Sequence, residues 1–183
     1  MKKSVLIVID CQKDFIDGSL GTPEAKAIIP RVILEVENTY NKDMEVYFTM
    51  DTHDDHYLET REGIILPVEH CFSHSEGWAL PIELAKALKK AKATMVQKSN
   101  FGYLDWGGDL MGYQEVGDIT LVGLCTDICV ISNALILRAA YPNAAIMVIA
   151  DACAGTTPEA HKMALEIMRH NHIIVLEDTK KAF

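Results

Sequence analysis

Four places in the chain carry side chains able to do acid–base, nucleophilic or metal chemistry. Asp10 closes the apolar run Val5–Ile9. Asp51 and His53 follow Met44–Met50, Lys98 follows Thr94–Gln97, and Cys125, Asp127 and Cys129 follow Asp118–Leu124. Cys129 stands at the start of a helix-like segment, Asp127–Ala140, with Thr126 as the N-cap. The partial positive charge of a helix N-terminus favours thiolate over thiol. An isolated cysteine is more often a small buried hydrophobe; here the helix start and the polar neighbours favour a nucleophile. A carboxylate at the end of an apolar run, as at Asp10, suits a general base. A lysine facing it, as Lys98 would, neutralises the cost of burying it. Asp51-Thr52-His53, with His70 farther on, offers carboxylate and imidazole ligands suited to zinc, iron or manganese. Glu59, His56 and His74 are further candidate ligands.

These residues need a scaffold that brings them to one place. The strand candidates are Val5–Ile9, Met44–Met50, Thr94–Gln97, Asp118–Leu124, Ala145–Ala150 and Ile173–Leu176. The first, fourth and fifth are nearly continuous apolar runs, the pattern of parallel strands buried on both faces. Between them lie helical patterns over Pro23–Tyr40, Ile82–Ala91, Asp127–Ala140 and Pro158–His170; the last begins after Thr157 with proline at its first position. Strand–helix–strand alternation predicts a layered α/β domain with right-handed crossovers. In such sheets ligands bind beyond the carboxyl ends of the strands, where all four polar clusters fall. The stretch 51–77 has weak periodicity and holds His53, His56, His70 and His74 out of seven histidines. A loop this long in a compact domain is usually functional.

Composition narrows the function further. With 183 residues the chain suits one domain, and 49% hydrophobic with 23% charged residues is an ordinary globular balance. Seventeen Lys and Arg against 26 Asp and Glu give a net charge of −9, so no nucleic-acid partner is expected. The first apolar run is shorter than the roughly 7–15 residues of a secretory signal. No run approaches the ~18 apolar residues of a membrane span. An odd number of cysteines, 5, without paired CxxC spacing suits reduced thiols in a cytoplasmic protein. No GxGxxG follows the first strand, so no nucleotide cofactor is expected.

The segments Val8-Ile9-Asp10-Cys11-Gln12-Lys13-Asp14-Phe15, Asp51-Thr52-His53, His70-Cys71, Lys98 and Gly123-Leu124-Cys125-Thr126-Asp127-Ile128-Cys129-Val130 together resemble the isochorismatase-like cysteine hydrolases, most closely their nicotinamidase branch. The resemblance spans nearly the whole chain. It implies a single-domain Rossmann-like three-layer α/β/α fold with a mostly parallel six-stranded sheet, in strand order 3-2-1-4-5-6. It implies a catalytic triad of Asp10, Lys98 and Cys129, and an oxyanion hole from the backbone N–H groups of Cys125 and Cys129 beside a cis Leu124–Cys125 peptide. It places a divalent metal, zinc, iron or manganese, on Asp51, His53 and His70, and a ring pocket on Phe15, Leu20 and Trp78. The implied reaction is hydrolysis of a small-molecule amide, nicotinamide to nicotinate and ammonia, through a cysteine thioester. Another amidase reaction on a carbamoyl or ureido substrate is the alternative. Vinyl-ether hydrolysis and a non-catalytic module both leave Cys129 without a role. The resemblance also implies a homo-oligomer.

Overall fold

The computed structural model describes residues 3–110 and 116–177. Six strands, β1 (Lys3–Ile9), β2 (Met44–Asp51), β3 (Thr94–Lys98), β4 (Val116–Leu124), β5 (Ala145–Ala154) and β6 (Ile174–Leu176), form one sheet in the order β3-β2-β1-β4-β5-β6. Every pairing is parallel. Among the described residues seven α-helices accompany them: α1 (Lys13–Ile16), α2 (Pro23–Glu37), α3 (Arg61–Ile65), α4 (Ile82–Lys90), α5 (Trp106–Asp109), α6 (Ile131–Ala140) and α7 (Pro158–His170). Val5 to Ile9 and Ile119 to Leu124 are all buried because helices cover both faces of the central strands. One core layer joins Ile7, Ile9, Leu121 and Val148 to Ala134 and Leu137 of α6 and Leu165 and Met168 of α7. The other joins Leu6, Val8 and Val122 to Val32 and Val36 of α2 and Leu84 and Leu88 of α4. No helix among the described residues is long and apolar enough to cross a membrane.

Several boundaries differ from the sequence reading. β5 runs on past Ala150 to Ala154, carrying Asp151 outward. α2 stops at Glu37 rather than Tyr40, because the Thr39 hydroxyl and N–H both turn back to the Val36 carbonyl. The expected helix from Asp127 is two pieces. Thr126–Val130 is a wide π turn, in which the Ile128 and Val130 N–H groups share the Cys125 carbonyl at 3.1 Å, and regular α6 begins only at Ile131. Such turns occur often at functional sites.

At Gly123 β4 lies directly against the Ile9 backbone of β1. The Gly123 φ is +120°, and a Cβ there would lie 2.2 Å from the Ile9 carbonyl oxygen. Only glycine fits this backbone. Immediately beyond, Asp10 takes φ 44°, and the Leu124–Cys125 peptide is cis.

Candidate active site

The three residues expected to form a triad meet at the carboxyl edge of the sheet. Lys98, the last residue of β3, reaches across β2. Its Nζ lies 2.6 Å from Asp10 Oδ2, 3.3 Å from Asp51 Oδ1 and 3.8 Å from Cys129 Sγ, and it donates to the Asn100 carbonyl at 2.9 Å. Asp10 is fully buried. Its Oδ1 accepts from the Thr49 hydroxyl at 2.6 Å. Its Oδ2 lies against Lys98 Nζ and has no other hydrogen-bond donor among the described residues. That arrangement leaves a buried lone pair available for a proton.

The electrostatics follow from burial. Desolvation raises the Asp10 pKa, and Lys98 only partly opposes it. Burial works to lower the Lys98 pKa, but Asp10, Cys129 and Asp51 together carry it upward, so the ammonium keeps its proton. Cys129 is 5% exposed. Burial, reinforced by Asp10, pushes its thiol well above the ordinary value despite Lys98. The expected effect of a helix N-terminus is therefore outweighed: the resting group is a thiol and needs a base. The Cys125 thiol is likewise pushed up to about 12, chiefly by burial.

A cavity of about 270 Å³ opens onto Cys129. Phe15 and Leu20 line it as expected, together with Leu66, Phe101 and Ile128. Trp78 does not line it. Its indole N–H donates to the Thr52 hydroxyl at 2.9 Å, which turns the ring away toward His74. Phe101, three residues after Lys98 and 45% exposed, supplies the aromatic wall that sequence reasoning assigned to Trp78. Phe101 is held from behind by Asn133, a fully buried side chain in α6. The Asn133 amide donates to the carbonyls of Phe101 and Cys129, and its oxygen accepts from Tyr103 N–H and Trp106 Nε1–H.

Asp51, Glu62 and His70 form one side of the same cavity. Ligand atoms of Asp51, His53, Glu62 and His70 all lie within 4.8 Å of one another. Asp51 Oδ2 is 3.0 Å from His53 Nε2 and 3.6 Å from His70 Nε2, and Glu62 Oε1 is 3.9 and 3.7 Å from the same nitrogens. The His70 Nδ1–H donates to the Val68 carbonyl at 2.8 Å, which leaves Nε2 as the free donor atom of a ligand. Burial would raise the Asp51 pKa, but bonds from His53 and His70 and the charge of Lys98 hold it well below the usual carboxylate range. Two imidazoles and two carboxylates suit zinc or a similar divalent ion, and all four residues fit that use. Glu62 was not among the expected ligands. α3 turns it inward, with Thr60 capping the helix through Gly63 N–H and Gly63 pressed against the Tyr57 carbonyl. The other candidates stay outside: His56 and Glu59 are exposed and face each other at 3.5 Å, and His74 is exposed.

The isochorismatase domain model matches residues 4–179. The chain belongs to the isochorismatase family. Among relatives, a nicotinamidase of Schizosaccharomyces pombe is 26% identical over 208 residues, covering 94% of this chain and 92% of that protein. Among solved structures of the family, nicotinamidase PncA of Bacillus subtilis matches with TM-score 0.83 and 26% identity over 96% of this chain and 99% of that one. The pyrazinamidase of Pyrococcus horikoshii in complex with zinc matches with TM-score 0.79 and 26% identity over 96% and 99%.

Proposed function

We propose that this isochorismatase-family chain is an amide hydrolase that converts nicotinamide and water to nicotinate and ammonia. The observation that carries this reading is the placement of Lys98 between Asp10 and Cys129, beside a small apolar cavity that also opens onto the Asp51, Glu62 and His70 side chains. The two relatives named nicotinamidase support it.

Asp10 takes the Cys129 thiol proton, and the thiolate attacks the carboxamide carbon. Backbone N–H groups of Cys125 and Cys129 receive the negative oxygen. Asp10 returns the proton to the nitrogen as the C–N bond breaks and ammonia leaves, which forms a thioester on Cys129. Water then attacks the thioester with Asp10 again as base, releasing the carboxylate and restoring the thiol. Lys98 keeps its positive charge throughout and steadies Asp10. Asp51, His53, Glu62 and His70 would hold a divalent ion, zinc in the first instance, which when bound supplies a Lewis acid for a ring nitrogen. Phe15 and Phe101 give the ring apolar walls. Five free cysteines suit a reducing compartment such as the cytoplasm. Self-association into a homo-oligomer belongs to the same proposal.

Ammonia release from nicotinamide, benzamide and a carbamoyl amine tests the reading. Nicotinamide should react far faster than benzamide, which has the same shape without the ring nitrogen. Equal rates would overturn ring-nitrogen anchoring. Release from the carbamoyl compound alone would replace nicotinamide as the substrate.

A further inference from the structure

The carboxylate given the proton-transfer role has two oxygens, and the structure treats them differently. The backbone ladder between β1 and β2 runs to Val8 opposite Phe48. Past it, β1 leaves the sheet through the positive φ of Asp10. A side chain then takes over from the ladder. The Asp10 N–H donates to Thr49 Oγ1 at 3.1 Å, and the Thr49 hydroxyl donates to Asp10 Oδ1 at 2.6 Å. Thr49 is fully buried. A hydroxyl has one proton to give, and here it goes to Oδ1 at the short distance typical of a carboxylate acceptor. Oδ2 lies 2.6 Å from Lys98 Nζ and has no other donor among the described residues.

We propose that Thr49 is a positioning residue: by fixing Oδ1 it turns Oδ2 toward the Cys129 proton and prevents the buried carboxylate from rotating. The inference rests on the reading of Asp10 as the base for Cys129. Without the hydroxyl, Oδ1 becomes a buried acceptor with no partner, and the carboxylate turns to find another. Removing that hydrogen bond also makes Asp10 more basic, which by itself would speed proton removal from the thiol. Positioning and basicity therefore predict opposite signs.

The test measures alkylation of Cys129 by iodoacetamide, located by mass spectrometry, alongside kcat and KM for nicotinamide. Thr49→Val should slow alkylation and lower kcat by about 10- to 100-fold, with KM within about twofold. Thr49→Ser, which keeps the hydroxyl, should recover most of both rates. In an Asp10→Asn background, Thr49→Val should add nothing. Faster alkylation in Thr49→Val, a Ser variant no better than Val, or the same loss in the Asp10→Asn background would each overturn the proposal. If Thr49→Val does not fold, Thr49→Ala takes its place with the same expected signs. Alkylation needs no substrate, so a wild-type protein inactive on nicotinamide would remove that substrate while the alkylation rates still decide the role of Thr49.

Discussion

Gln12 grips Asp51 by its backbone from both sides: the Gln12 Nε2–H donates to the Asp51 carbonyl at 2.8 Å, and Gln12 Oε1 accepts from the Asp51 N–H at 2.7 Å. Gln12 is fully buried. It holds in register a carboxylate that faces two imidazoles and Lys98. Gln12→Leu leaves two buried backbone groups without partners and should cost about 2–4 kcal/mol of stability. It should also let a chelator strip the divalent ion faster, as followed by a colorimetric indicator. Wild-type stripping kinetics in a folded Gln12→Leu protein would show that Asp51 needs no such clamp.

The two thiols of the cavity separate by role. Cys129→Ala should abolish ammonia release while the protein stays folded, since the change removes one sulfur atom. Cys125→Ala should keep most activity, because Cys125 acts through its backbone N–H. Mass spectrometry during turnover should place the acyl group on Cys129; an adduct on Cys125 would sink the assignment.

Metal content should track Glu62 and ignore its neighbours. Elemental analysis should find about one divalent ion per chain in the wild type. It should find much less after Glu62→Ala or His53→Ala, and an unchanged amount after His56→Ala or Glu59→Ala. Retention by Glu62→Ala of the full metal content would reduce the site to three ligands.

Stability should depend on pH through His161. Its ring nitrogen Nδ1 lies 2.8 Å from the Thr126 hydroxyl, and burial lowers its pKa below the ordinary value near 6.5. The unfolded chain therefore binds a proton that the folded chain refuses, and stability falls as pH drops through about 6.5 toward the folded value. The wild type should lose melting temperature between about pH 7 and pH 5 more steeply than His161→Gln. Parallel curves would mean that His161 stays as basic in the fold as outside it.

The strand-end residues were readable because each closes or follows a strand candidate, and parallel topology sends all such ends to one edge. Asp10, Asp51, His53, Lys98 and Cys129 all come to that edge for this reason. Glu62 was not readable. A helix of five residues is too short for periodicity, and Glu59 three residues earlier looks equally suited. Trp78 was placed in the ring pocket by the resemblance alone, while its orientation depends on a bond to Thr52, 26 residues away. The π turn at Thr126–Val130 shows no departure from helical periodicity in the sequence, so neither the wide turn under Cys129 nor the buried Asn133 that holds it is legible there.

Gly123 sets a limit on how this protein can be re-engineered. Because a single added carbon there would collide with Ile9, a library randomised at position 123 should return glycine alone among active clones. The spacing between Asp10 and Cys129 is thus closed to gradual adjustment from behind. New substrate preference has to come from the replaceable walls, Leu20, Leu66, Phe101 and Ile128, where side chains differ in volume without disturbing the strand ends. The molecule divides into a fixed chemical edge and a mutable mouth, and selection for altered amides should collect its changes in the mouth.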